Sequence, residues 1–207
     1  MNVYIGIDQS MNSTGICILY YDGATKVKEQ FFIVKPDKLT KKEKLANDAY
    51  LYFDYILYDK FDLSVIEDSH EKEYLKTLNM INAVNKIYDI ISAPSVKGIH
   101  NENTIHIVME GVSYGSKMRT VSIFDLAGLN YMIRQRILKH DDMMLAIVPP
   151  SEIKKFATGN GNCNKEAMIA LFGATHPGFE LPKLDDVADA YFMASYARHE
   201  RTFKIPE

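Results

Sequence analysis

Apolar residues gather in short strand-like runs at the start of the chain and recur at helical spacing after it. Residues 2–8 (NVYIGID), 14–21 (TGICILYY) and 26–34 (KVKEQFFIV) are rich in β-branched and aromatic side chains, and Asp22-Gly23 between the last two is a tight-turn pair. They predict an antiparallel meander. Beyond Pro36, Leu45, Ala49, Tyr52, Phe53, Ile56 and Leu57 fall three and four apart, which predicts one amphipathic helix over 39–58. Residues 63–67 predict a short strand, and 74–91, carrying Leu75, Leu78, Ile81, Val84 and Ile87, a helix. Pro94, Gly98 and the polar run 100–103 interrupt the pattern before a strand at 104–110, a loop through Gly115 and a helix over 121–139. A strand at 143–148 is stopped by Pro149 and Pro150, short helices follow at 151–157 and 165–172, and 184–198 reads as a closing helix. The order β-β-β-α, a helical interlude, then β-α-β-α implies a mixed α/β layout around one sheet.

With 207 residues, 47% hydrophobic and 25% charged, the chain has the make-up of a globular protein with a single core, so one domain over 1–207 is expected. No apolar run approaches the roughly 20 residues that span a bilayer, and the first residues lack the basic and long apolar regions of a signal peptide. A cytoplasmic protein without membrane contact is expected. Cys17 and Cys163 are too few for a disulfide framework or a zinc site, and the six histidines never fall into HxH or HxxxH spacing. Any metal should be held by oxygen. The net charge of -3 weighs against indiscriminate nucleic-acid binding, yet Arg119, Arg134, Arg136, Lys139, Lys154 and Lys155 lie between Lys117 and Lys165 with few acids among them. They leave room for a basic face.

Four acids stand out by position. Asp8 ends the first strand, Glu110 ends the strand IHIVM, and Asp186 and Asp189, three apart in the closing helix, share a helix face. Bringing like charges together beside apolar packing costs free energy unless a cation neutralises them. Magnesium and manganese prefer oxygen ligands, and carboxylates around two such ions about 4 Å apart suit phosphodiester hydrolysis. Taken singly, Asp8 also fits a turn cap, Glu110 a solvent-facing strand end, and Asp185 and Asp186 partners of a helix dipole. The order strand end, strand end, helix favours the metal reading.

The segments that carry these acids resemble the RuvC-type Holliday junction resolvases of the ribonuclease H-like nucleases. IGIDQSMNSTGICIL is similar to that family's first strand and hairpin, IVMEGVSYGS to its central strand ending in Glu, and DDVADAYFMASYA to its final DxxD helix. A further match runs from Pro150-Ser151-Glu152-Ile153-Lys154 through Gly159-Asn160-Gly161 to Lys165, the family's Lys, GxG turn and second Lys. The resemblance implies a ribonuclease H-like fold with a mixed five-stranded sheet flanked by helices. It implies an endonuclease of the phage type that resolves Holliday junctions and leaves 5′-phosphate and 3′-hydroxyl ends. Asp8, Glu110, Asp186 and Asp189 would ligate two Mg²⁺ ions, with Mn²⁺ able to substitute, and Lys165 would steady the phosphate charge in the transition state. Tyr114, Lys117, Arg119, Lys154, Lys155, Gly159 and Gly161 would contact DNA. Two cuts on symmetry-related strands of a four-way junction imply a homodimer.

The chain also departs from the family. The interval from Asp8 to Glu110 is longer than in bacterial resolvases, with the surplus expected as an insertion at about 62–103. Ser113 stands where the family has an aromatic residue, with Tyr114 beside it, and Glu67 rivals Glu110 as the second acid. Three other functions are weighed: a broader debranching nuclease acting on forks and flaps, a binding module without catalysis, and a kinase or ATPase of the actin-like fold, whose first strand and GIDQ-type turn bind phosphate. The last wants a second phosphate loop and a larger two-lobed body.

Overall fold

In a computed structural model, residues 1–96, 105–112 and 120–199 are described. β1 (Asn2–Asp8), β2 (Thr14–Asp22) and β3 (Thr25–Pro36) form the expected antiparallel meander. β1 pairs with β2 from Asn2↔Tyr21 to Asp8↔Gly15, and Gly23 turns the next hairpin at φ 56°, a conformation that suits glycine. β5 (Ile105–Glu110) lies parallel to β1, from Val3↔Ile105 to Ile7↔Met109, and β6 (Met143–Val148) lies parallel to β5.

The sheet has six strands rather than five, in the order β4-β3-β2-β1-β5-β6. The extra strand, β4 (Phe53–Tyr58), falls inside the helix expected over 39–58. That helix is only α1 (Lys41–Ala49), opened by a capping box between Thr40 and Glu43. After it the run FDYILY buries Phe53 and Tyr55 on one side and leaves Asp54 exposed, a two-residue period that suits a strand. Asn47 Oδ1 accepts from the Tyr55 amide at 2.8 Å where the chain turns. β4 then adds to β3 in parallel, Phe31↔Phe53 to Pro36↔Tyr58.

The strand expected at 63–67 is a 3-10 turn at Leu63–Val65, in which Asp62 Oδ1 accepts from the Ser64 amide at 2.9 Å. α2 (Ser69–Val96) starts five residues before the expected 74, where Asp68 Oδ1 accepts from the Glu71 amide at 2.7 Å. α3 (Thr120–Ile137), α4 (Pro150–Thr158), α5 (Lys165–Thr175) and α6 (Leu184–His199) lie close to their expected spans. Among the described residues no helix is long and apolar enough to cross a membrane.

Strand alternation sorts the core into two faces. Val3, Ile5, Ile7, Ile16, Ile18, Ile105, Ile107 and Met109 pack with Ile87 and Ile91 of α2 and Leu129, Ile133 and Ile137 of α3. Cys17, Leu19, Phe31, Ile33 and Val108 pack instead with Val187, Ala188, Ala190 and Ala194 of α6. On this second side the helix all but touches the strands. A Cβ added at Gly6 would stand 1.9 Å from the Ala190 carbonyl oxygen, and one at Gly15 would stand 2.2 Å from that of Asp186.

Candidate active site

Asp8 and Glu110 lie one step beyond the last paired residues of parallel neighbours, Ile7↔Met109. They therefore leave the sheet side by side at its carboxyl edge. By alternation Asp8 shares the face of Gly6, and Glu110 that of Val108, so both belong to the α6 side. α6 supplies the other two acids. Its Asp186 carbonyl rests over Gly15, the partner of Asp8 in the β1–β2 ladder, and Asp189 follows one turn on, beside the Ala190 carbonyl that rests over Gly6. The two glycines set how close the helix comes, and thereby where its carboxylates stand.

The electrostatics show the four acids acting on one another. Burial pushes Asp8 well above its ordinary value, and Asp189, Glu110 and Asp186 push the same way against Lys165. Burial and then Asp189 raise Glu110 to about 7, with Lys154 and Lys165 opposing. Burial raises Asp189 to about 6 despite Lys165 and Lys154. Asp186 is raised by burial too, but it accepts a short hydrogen bond from the buried Ser13 hydroxyl, which holds it down. Asp8 thus lies at the centre of the repulsion, raised by Asp189, Glu110 and Asp186, while Asp189 is raised in turn by Asp185 and by Asp186, which Ser13 tethers. Glu67 is exposed and is not among the charges felt by Asp8.

Lys165 opens α5, where Asn164 caps the helix by accepting from the Ala167 amide at 3.0 Å. Its ammonium donates to Asp185 Oδ2 at 3.0 Å, which raises its pKa, and Asp189 and Asp8 add to that effect. Burial pushes Asp185 up, yet Lys165 outweighs it and holds that carboxyl below its ordinary range. Lys154 on α4 is partly buried and acts on Glu110 and Asp189, whereas Lys155 next to it is exposed. Gly159 ends α4 in the left-handed conformation, φ 78°, and donates to the Lys155 carbonyl at 2.8 Å. A Cβ at Gly161 would approach the Ser151 carbonyl to 2.8 Å, so both glycines serve this turn. Tyr114, Lys117 and Arg119 lie outside the described residues.

Among the described residues no three His, Cys, Asp or Glu side chains stand close enough to hold a metal ion as they are. The donor chemistry nevertheless fits one: an all-oxygen set whose carboxyls are raised by burial and by one another, the state that a hard divalent cation relieves.

Five contributors to the site carry no catalytic signature in the sequence. Gly6 and Gly15 are visible only as glycines inside strands, a sign of close backbone approach. Ser13 sits in a polar turn. Gln9 and the fully buried Asn130 both donate to the Glu110 carbonyl oxygen, at 3.0 and 3.1 Å.

No family model matches the sequence, and no curated protein does. Among solved structures the fold is similar to that of Thermus thermophilus RuvC, with a TM-score of 0.50 and 15% identity, covering 95% of this chain and 96% of that one. The same enzyme in complex with Holliday junction substrate scores 0.48 at 15% identity, covering 96% of each chain. The yeast mitochondrial Holliday junction resolvase Ydc2 scores 0.48 at 15% identity, covering 96% of this chain and 81% of that one. At this identity the first likeness establishes the fold, the RuvC-like ribonuclease H architecture that the sequence segments resemble.

Proposed function

We propose that this chain is a structure-selective endonuclease that hydrolyses phosphodiester bonds in branched DNA, with four-way junctions as its main substrate. The observation that carries the reading is that buried Asp8 is raised by the charges of Asp189, Glu110 and Asp186, acids from a second strand end and one helix, with Lys154 and Lys165 acting on the same group of acids. The RuvC-like fold and the four sequence segments that resemble junction resolvases support it.

In this reading Asp8, Glu110, Asp186 and Asp189 would hold two Mg²⁺ or Mn²⁺ ions. Such ions, when bound, lower the pKa of a water nucleophile and stabilise the leaving oxygen. The chain's own residues do the rest. Ionised Glu110 and Asp189 are needed as ligands, so their raised pKa values set the acid limit of activity. Lys154 and Lys165 bring positive charge to an otherwise acidic edge and draw the DNA backbone towards it. Lys165 exchanges its hydrogen bond to Asp185 for the phosphate. A twofold dimer supplies two active sites to one junction. Phe124, Tyr131 and Leu138, 71%, 62% and 67% exposed, recur every seven residues along α3 and its final turn and therefore share one side, a pattern that suits pairing with a second copy.

The test is incubation of purified protein and Mg²⁺ with a labelled four-way junction, a Y-fork, a flap, linear duplex and ATP. Cleavage of the junction in preference to linear duplex is expected. Asp8→Asn should abolish cleavage while junction binding persists, and full activity in that variant would sink the assignment. Equal cutting of forks, flaps and junctions would broaden the substrate class; ATP turnover without cleavage would overturn the reading.

A further inference from the structure

The strand ladder between β1 and β5 stops at Ile7↔Met109, one residue short of the two acids that it delivers. Past that point the Glu110 carbonyl oxygen accepts from two side-chain amides, Gln9 Nε2 at 3.0 Å and Asn130 Nδ2 at 3.1 Å. A carbonyl oxygen offers two lone pairs, and both are engaged. The donors come from opposite directions in the chain. Gln9 directly follows Asp8, while Asn130 reaches the end of β5 from α3, the helix on the other side of the sheet. Turning either amide over would set two oxygens against each other, so the hydrogen bonds fix both orientations.

This arrangement costs stability. Gln9 Oε1 and Asn130 Oδ1 are buried and without a hydrogen-bond partner. Burying an amide oxygen unpaired is unfavourable, and Asn130 lies fully buried in a helix whose neighbours Leu129 and Ile133 are core residues. A leucine there would remove the penalty and extend the apolar core. A polar group placed where an apolar one would stabilise more serves geometry.

We propose that Gln9 and Asn130 are positioning residues that clamp the end of β5, and so fix where the Glu110 carboxyl stands relative to Asp8 and Asp189. The proposal rests on the nuclease reading of this edge. Neither amide touches substrate. The clamp ties the residue after one acid to the backbone of the next, so that the two strand ends cannot slide independently.

Asn130→Leu, Gln9→Met and the double variant, made in the full chain, test it by two routes. The first needs neither cation nor substrate: the carbonyl ¹³C resonance of Glu110 in the metal-free protein should move in each variant. A resonance that stays in place in all three would overturn the clamp, whatever the protein cleaves. The second is junction cleavage at saturating Mg²⁺ together with thermal melting. Asn130→Leu is expected to melt at or above the wild-type temperature, with kcat lowered about tenfold and KM unchanged, and the double variant should be slower still. Unchanged kcat in all three would overturn the proposal, as would a loss of rate that only follows a loss of folded protein. If Asn130→Leu does not fold, Asn130→Ala, which removes the donor and the unpaired oxygen together, and Gln9→Met decide the question. Failure of the wild type to cut any branched DNA would refute the nuclease reading and leave the resonance test standing.

Discussion

The two faces of the sheet are built on different principles. On the α2/α3 side, isoleucines, leucines and valines interdigitate, with Ile5, Ile7, Ile87, Ile91, Ile107 and Ile137 all buried. On the α6 side, Gly6 and Gly15 let helix backbone meet strand backbone at Asp186 and Ala190, and the rings of Phe31, Phe172 and Phe179 pack in the same core beside that contact. The first kind of contact absorbs small changes by shifting rotamers. The second cannot, because carbonyl oxygens and strand atoms have nowhere to move. Rigidity of that sort stands where placement matters: α6 carries Asp186 and Asp189, and a helix held by backbone contact presents its carboxylates at a defined height above Asp8.

Substitution of a strand residue on each face separates the two. Gly6→Val places side-chain atoms where Ala190 already lies, and should cost more than about 4 kcal/mol, enough to leave little folded protein. Ile107→Ala, on the same two central strands but facing α2 and α3, should cost about 2–5 kcal/mol through its cavity. The surviving folded fraction of Ile107→Ala should keep its cleavage rate per active site. Thermal melts by circular dichroism measure both, and a Gly6→Val protein that loses less than about 4 kcal/mol would contradict the backbone-contact account.

The same contrast explains what was legible in the sequence. Asp8, Glu110, Asp186 and Asp189 could be picked out because each is marked locally, at a strand end or at helical spacing, and the strands and helices that carry them depend on short-range periodicity. β4 was hidden for the converse reason. Tyr52, Phe53, Ile56 and Leu57 fit a helical stripe as well as a strand, and only the free edge of β3 selects the strand. Gly6, Gly15, Ser13, Gln9 and Asn130 owe their roles to partners distant in the chain, such as Ser13 with Asp186 at a separation of 173 residues. No periodicity records such a partnership.

Electrostatics gives the next test, because among the described residues it is the α6 face that buries carboxylates against one another. Glu110 is held at about 7 and Asp189 at about 6 when folded, both above the ordinary values of 4.5 and 3.8. Between the unfolded and folded values the native state binds more protons than the unfolded chain, so stability falls as pH rises through that window. In EDTA, wild type should therefore lose stability relative to Glu110→Gln between about pH 4.5 and pH 7, with the difference constant above it. Mg²⁺ should reduce the loss by neutralising the carboxylates. Cleavage should show the opposite slope, rising across the same range as the ligands ionise. A wild-type melting curve that runs parallel to that of Glu110→Gln at every pH would remove the mutual repulsion from the account.

The smallest effect separates holding a carboxylate from merely burying it. Ser13 donates to Asp186, and that bond works against the burial that raises the carboxyl. Ser13→Ala leaves the backbone contact at Gly15 intact and removes only the tether, so the fold should lose about 1–3 kcal/mol for the buried acceptor left unpaired. A carboxylate free to rotate is a poorer ligand, and removal of such a supporting partner lowers metal affinity by about 10–100-fold. The Mg²⁺ concentration for half-maximal cleavage should therefore rise about tenfold, while the rate at saturating Mg²⁺ recovers. Ser13→Thr, which keeps the hydroxyl, should restore the requirement if its methyl group fits. A rate that stays low at saturating Mg²⁺ in Ser13→Ala would mean that the hydroxyl does more than orient Asp186. An unchanged Mg²⁺ requirement would mean that backbone contact alone sets the position of this acid, and that the α6 face needs no side-chain tether to do so.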